Sequence, residues 1–140
     1  MTSGDAPAWV ASALAAAPVG RLATTAADGT VHLVPICFAV VDGHIASAVD
    51  HKPKRTNHLQ RLADIGATGR ATFLVDHYDD DWSRLWWVRI TGAAAVAPEG
   101  SPLDGAARAA LVRKYRQYQE RPPLGPVYTV ALDALRWWRP

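Results

Sequence analysis

Lys52, Lys54 and Arg55 crowd into one short stretch of the segment Asp50 to Leu62, D-H-K-P-K-R-T-N-H-L-Q-R-L, with His51 before them and Arg61 after. Leu59 and Leu62 follow at helical spacing. Pro53 stands where a first helical turn tolerates proline. The pattern therefore predicts a short helix whose start carries the basic cluster. A helix start bears partial positive charge and favours acids, so cations there are out of place unless something negative joins them. Backbone N–H groups and two or three cations converging at such a start make an anion site, most naturally for a phosphate. Spacing alone leaves a second reading open, a solvated basic face with Asp50 neutralising one charge.

Other chemistries find less support. The histidines (His32, His44, His51, His58 and His77) form no H-E-x-x-H, and a lone cysteine excludes a thiolate zinc cage, so no metal site is expected. Asp76, Asp79, Asp80 and Asp81 lack the glycine and spacing of a calcium loop and read as a solvated acidic turn. Cys37 lies in a strand expected to be buried, with no evident base beside it, and reads as core. No G-x-S-x-G, G-x-x-x-x-G-K-[ST] or G-x-G-x-x-G occurs, which removes the nucleophile-elbow, P-loop and Rossmann readings.

The elements that must position the basic segment come from a chain of 140 residues, enough for one domain with a modest core. Hydrophobic residues make up 49% and charged residues 20%, which excludes a disordered tail. Net charge is +2, from 15 Lys and Arg against 13 Asp and Glu, too balanced to argue for nucleic acid. One cysteine makes a reducing compartment the default. The alanine-rich run Ala11 to Ala17 lacks the basic lead-in of a signal peptide, and no apolar run approaches the roughly 20 residues of a membrane helix. The expectation is a cytoplasmic protein with no membrane partner.

Pro7 to Ala17 reads as a first helix, with Asp5 or Ser3 near its cap and Pro18 stopping it. Gly20 to Thr25 reads as a strand, and Ala27-Asp28-Gly29-Thr30 as a hairpin turn. Val31 to Val41 is one long strand, apolar on both alternating faces from Leu33 on and so expected to be covered on both sides. Pro35 within it signals a bulge or a sheet edge. Asp42-Gly43 turns the chain into His44 to Val49. After the basic helix come strands at Arg70 to Tyr78 and Leu85 to Val96, a loop at Pro98 to Gly105, a helix from Ala106 to Gln119, and a last strand from Val127 to Trp138. Six strands, tight turns and short helices predict a mostly β, single-domain, antiparallel barrel. Trp86-Trp87 and Trp137-Trp138 are adjacent pairs on strands, so one member of each faces away from the barrel interior. Outward aromatics of this size point to a subunit interface and hence a homodimer.

Taken together, three runs carry a family resemblance. They are A-T-x-x-x-D-G-T-x-H-x-V-P-I-C-F-A (Ala23 to Ala39), D-H-K-P-K-R-T-N-H-L (Asp50 to Leu59) and L-V-D-H-Y-D-D-D-W-S-x-L-W-W-V-R-x-x-G (Leu74 to Gly92). The chain resembles the split-barrel flavin and deazaflavin oxidoreductases, and within them the coenzyme F-420-dependent PPOX-class branch related to pyridoxamine 5'-phosphate oxidases. The resemblance implies a homodimer of six-stranded split barrels with cofactor sites at the interface. It implies that Lys52, Lys54 and Arg55 hold the cofactor's phosphate, reinforced by Asn57. The backbone of Val34, Pro35, Ile36, Cys37 and Phe38, and of Ala48, Val49 and Asp50, would run along the ring. Trp87, Arg89 and Trp137 are its candidates for contributions from the second subunit. The implied activity is hydride transfer from reduced F-420 to a conjugated small molecule such as an enone, quinone or tetrapyrrole. FMN on the same fold, and a cofactor carrier without catalysis, are the alternatives, and no residue marks itself as a proton donor.

One charge-assisted hydrogen bond to a phosphate contributes about 1.5–3 kcal/mol. Lys54→Ala or Arg55→Ala should thus weaken binding of the phosphate-bearing cofactor about tenfold or more. Thermal stability should hardly change, and affinity should fall as salt rises. Titrating these variants and Lys52→Ala with cofactor checks this; wild-type affinity in all three would sink the site.

Overall fold

Two left-handed turns set up the first half of the chain in the computed structural model, which describes residues 5–50 and 59–140. Gly29 sits at φ 90°, and the Asp28 carboxylate accepts from the Thr30 N–H at 3.0 Å. This turn joins β1 (Gly20–Thr25) to β2 (Val31–Ile36), paired from Gly20 opposite Ile36 to Thr25 opposite Val31. Asp42 at φ 49° and Gly43 at φ 74° both occupy the left-handed region, the geometry a two-residue hairpin requires. They join β3 (Ala39–Val41) to β4 (His44–Ala48).

The remaining strands are β5 (Arg70–His77), β6 (Trp86–Val96), β7 (Val127–Ala131) and β8 (Ala134–Trp138). The helices are α1 (Ala8–Ala16), α2 (Gln60–Thr68), α3 (Pro102–Lys114) and α4 (Arg116–Glu120). A 3-10 turn, Trp82–Arg84, precedes β6. The strand order is β2-β1-β5-β6-β7-β4-β3, with β8 also on β6, and every pair is antiparallel.

β6 belongs to both halves of this sheet. Residues Trp87 to Thr91 pair with β8, and Ala94 to Val96 pair with β7. The handover falls at Gly92, where an added Cβ would lie 2.0 Å from the Ala131 carbonyl oxygen at the β7–β8 corner. Only glycine admits another backbone this close. Next to it the Ala93 N–H donates to the Asp133 carboxylate at 3.0 Å, closing the corner.

The main core fills the concave side. Leu22, Phe73, Val75, Val88, Ile90, Tyr128 and Leu135 meet Val10 and Leu14 of α1 and Ile65 of α2. A smaller cluster of Ala39, Ala46, Ala48, Ala107, Leu111 and Val127 seats α3 on β3, β4 and β7. Its small side chains let the helix approach closely.

Several expectations need correction. The described residues contain eight strands, not six, because two of the long predicted strands each change partners midway. Val31 to Val41 leaves β1 after Ile36 and joins β4 from Ala39, so it is two strands. Val127 to Trp138 turns at Leu132–Asp133 between β7 and β8. β2 is the edge strand that Pro35 signalled, but it is not covered on both sides within one chain: Val31 is 63% and Leu33 70% exposed. Cys37 is exposed, not core, since it lies between β2 and β3 outside the ladder. The third helix begins at Pro102, earlier than predicted, because the Ser101 hydroxyl caps it by accepting from the Asp104 N–H at 3.3 Å. It breaks at Tyr115, before α4. α1 has Pro7 at its cap position and no side-chain cap.

Gly92→Ala should destabilise the fold by about 1–3 kcal/mol, because the methyl must displace backbone. Gly105 lies within α3, and a Cβ there would meet nothing within 4 Å. Gly105→Ala should therefore raise stability by up to about 1 kcal/mol. Urea unfolding of the two variants checks the contrast; equal midpoints would contradict the crossing at Gly92.

Candidate functional site

The two backbone segments expected along a cofactor ring lie side by side. β3 and β4 pair with Ala39 opposite Ala46, and the Ser47 hydroxyl donates to the Cys37 carbonyl at 2.7 Å. The Tyr115 hydroxyl accepts from the Phe38 N–H at 2.9 Å and lies 3.1 Å from the Phe38 carbonyl and 2.9 Å from the Pro18 carbonyl. Both polar groups of Phe38 are thus engaged, and its ring is fully buried in edge contact with Phe73, centroids 4.8 Å apart. Phe38 builds the floor of the site. Ala48 and Val49 are likewise buried, and Val49 exchanges backbone hydrogen bonds of 3.0 Å with Pro126 and Gly125. Gly125 is required there, since a Cβ would come within 2.5 Å of Val49. Val34 packs against the core and Ile36 is buried, so among these segments Pro35, Cys37 and Asp50 present exposed surface. As an edge strand, β2 also turns backbone groups away from β1, where a ligand can meet them.

Lys52, Lys54, Arg55 and Asn57 lie outside the described residues. The residues on either side are placed: Asp50 ends the β4 segment, and Leu59 is the extended N-cap of α2. The described helix runs from Gln60 to Thr68. Two ties hold α2 against the sheet. Arg61 Nε donates to the Tyr128 hydroxyl at 3.0 Å, with the guanidinium 5.6 Å from that ring. Asp64, only 1% exposed, receives Thr24 Oγ1 (2.8 Å) and His32 Nδ1 (2.7 Å) on one oxygen and Gln60 Nε2 (2.8 Å) on the other. Burial pushes this carboxyl up, but the bonds from Gln60, Thr24 and His32 outweigh it and hold the group below the usual carboxylate value. A lone Asp among Leu62 and Ile65 was the available sequence signal for this anchor.

The residues that sequence reasoning missed are at the end of α3. Lys114 Nζ is buried with no hydrogen-bond partner and lies 3.7 Å from the centroid of the Phe38 ring. Burial lowers its pKa to about 8, against a small opposing effect of Cys37. Tyr115 and Tyr118 meet edge to face at 5.5 Å. Burial pushes both phenols up to about 12, and neighbouring Cys37 and Asp50 add to the effect on Tyr118.

Trp87 and Arg89 lie together on the convex face of the sheet, with the Arg89 guanidinium 5.2 Å from the Trp87 ring. Cross-strand pairing places Trp87 opposite Trp138, Arg89 opposite Leu74, Leu74 opposite Arg21 and Arg21 opposite Pro35, so these side chains share one face. Leu33 and Val31 extend it, and a groove of about 480 Å³ crosses it between Ala23, Thr25, Val31, Arg70 and Thr91. Trp137 points the other way and packs against the main core beside Trp86. The alternation expected of the tryptophan pairs is thus present, but Trp137 is not on the face that holds Trp87 and Arg89. Among the described residues no group of His, Cys, Asp or Glu is arranged to hold a metal ion. No described helix is long and apolar enough to cross a membrane.

The family model described as pyridoxamine 5'-phosphate oxidase matches residues 7–139. No protein of curated function matches the sequence. Among solved structures, a conserved hypothetical protein of Mycobacterium tuberculosis, Rv2991, superposes with a TM-score of 0.77 at 20% identity, over 96% of this chain and 84% of that one. A FAD-binding protein of Mesorhizobium loti gives 0.67 at 20% identity over 94% of both chains. A heme-binding protein of Mycobacterium smegmatis gives 0.72 at 21% identity, over 90% of this chain and 50% of that one. At these identities the likeness establishes the split-barrel fold.

Asp64→Asn should destabilise the protein by about 1–3 kcal/mol at neutral pH, the cost of breaking a buried charged network. Because the folded carboxyl titrates below its unfolded value of about 3.9, this contribution is complete above that pH. It is lost as pH falls through the lower folded value. Unfolding midpoints of both proteins from pH 7 down to pH 3 should converge in acid; a constant gap would contradict the Asp64 anchor.

Proposed function

This chain belongs to the pyridoxamine 5'-phosphate oxidase family, and on that premise we propose that it is an oxidoreductase that binds a phosphate-bearing flavin-type ring. Coenzyme F-420 is the first reading, on the motifs at Asp50 to Leu59 and Leu74 to Gly92. FMN is the second, favoured by the FAD-binding protein that matches over 94% of both chains. The observation that carries the proposal is the meeting of the β2 and β4 ends through Ser47 and Cys37, with the three-cation segment leaving from the same place.

The described residues fit such a ring. The outer edge of β2 offers polar backbone, Pro35 and Cys37 offer exposed surface beside it, and buried Ile36 and Phe38 support that surface from beneath. Lys52, Lys54 and Arg55 take the phosphate, with Asn57 beside them. When bound, the cofactor supplies the hydride for an electron-poor conjugated acceptor. The chain's own residues do the rest. The Tyr115 clamp on Phe38 and the Asp64 anchor on α2 hold the two ends of the site at a fixed separation, which orients ring and acceptor before reaction. The apolar floor excludes water.

The proposal includes a homodimer. Val31 and Leu33, with Leu74, Trp87 and Trp138, form an apolar stripe on the convex face that a second copy would cover. Trp87 and Arg89 of that copy are then available to the open side of the ring.

Protein purified from a host that makes both flavins and deazaflavins tests the cofactor by absorbance and mass. F-420 recovered, and reduced F-420 reoxidised by an enone, quinone or tetrapyrrole in a Lys54-dependent way, would support the reductase. Turnover only with FMN favours the second reading, and tight binding without turnover for any acceptor favours a carrier. Light scattering should give about twice the 15.1 kDa chain mass, and Leu33→Asp should shift it towards the monomer; a monomer at all concentrations would remove the shared site.

A further inference from the structure

Lys114 is the one described residue with a buried side-chain polar atom lacking a hydrogen-bond partner. Its surroundings supply rings in place of an acceptor: Phe38 at 3.7 Å and Tyr115 at 5.4 Å from the ammonium. Ring faces attract a cation, but a desolvated ammonium with no acceptor is still poorly satisfied. The same side chain lines a groove of about 320 Å³ between α1, β3 and α3. The rest of the lining is Ala15, Ala39, Val40, Ala110 and Arg113. Arg113 is exposed and pairs with no carboxylate among the described residues. The groove thus has small apolar walls and two cations, and its lining contains no acid to neutralise them.

We propose that this groove binds a small organic anion, a carboxylate on a compact apolar body, with Lys114 and Arg113 meeting the carboxylate and Ala39, Val40 and Ala110 the body. Lysine has a flexible stem with rotatable donors, so rotation carries the ammonium from the Phe38 ring to the groove. The move exchanges a ring contact for a charge-assisted hydrogen bond, the stronger interaction. The carbonyls at the end of α3 disfavour an anion. That is why both cations are needed and why an apolar body must contribute. Walls made of alanine and one valine leave room for a ring or a short branched chain, and offer no donor or acceptor that would select a sugar or a nucleotide. The groove and its ligand make no use of residues 50–59, so this proposal stands or falls apart from the cofactor reading.

The probe is benzoate, followed by the methyl NMR signals of Ala39, Val40 and Ala110. Benzyl alcohol serves as the body without the charge, and inorganic phosphate as the charge without the body. Benzoate should saturate and shift those methyls, while both controls bind at least about tenfold more weakly. Lys114→Met should lower benzoate affinity about tenfold, Lys114→Arg should retain most of it, and Arg113→Gln, at an exposed site, should weaken it without affecting the fold. Thermal unfolding of each variant separates lost binding from lost structure. Phosphate binding as tightly as benzoate, unchanged affinity in folded Lys114→Met or Arg113→Gln, or no saturable benzoate binding by the wild type would each overturn the proposal.

Discussion

The close crossing of β6 beneath the β7–β8 corner is the constraint on which the rest of the structure depends. A strand can carry only one neighbour on each edge at a given residue, so β6 must hand one edge from β8 to β7 along its length. The corner between those strands then lies directly over β6, and Gly92 alone leaves room for the Ala131 carbonyl. Everything beyond the corner follows. β7 carries β4, β4 carries β3, and these three strands form the half on which α3 packs. Without the crossing, the two halves would not share one continuous sheet.

Splitting the sheet this way creates open backbone where strands change partners, and polar side chains from distant elements close it. Between β2 and β3 the chain has left β1 and not yet joined β4. Ser47 takes the Cys37 carbonyl, and Tyr115, at the end of α3, serves both polar groups of Phe38. On the other side Asp64 ties α2 to β1 and β2 with every carboxylate oxygen occupied. A buried charge is tolerable only when its hydrogen-bonding capacity is met, and removing any one partner exposes the full desolvation cost of the rest. These ties contribute position more than net stability. They hold the ends of the basic segment at set places on a rigid sheet, which is what a ligand bridging phosphate and ring subsites requires.

The convex face illustrates how a single chain can be folded and still incomplete. Its alternating residues are not those of a solvated face: Val31, Leu33, Leu74, Trp87 and Trp138 stand among arginines and threonines. Leaving large apolar groups in water costs the hydrophobic free energy that burial elsewhere gains. That cost is what the proposed homodimer would relieve, with the interleaved arginines orienting one copy on the other.

Local sequence determined the turns, the alternation along each strand and the segment types, because these depend on neighbours one to four positions away. Asp28-Gly29 and Asp42-Gly43 announce left-handed residues, Pro35 announces an edge, and the adjacent tryptophan pairs announce a strand with two populated faces. The three cations around Pro53 raise an anion site as an expectation only, since they lie outside the described residues. The breaks within Val31 to Val41 and Val127 to Trp138 were not legible, since an apolar run keeps its period when it changes partners, and partner exchange is a long-range event. The exposure of Cys37, the burial of Phe38 under Tyr115, the role of Asp64 and the unsatisfied amine of Lys114 were hidden for the same reason. Each depends on a contact between residues dozens of positions apart, and only tertiary packing decides which groups water can reach and which must find a partner inside the protein.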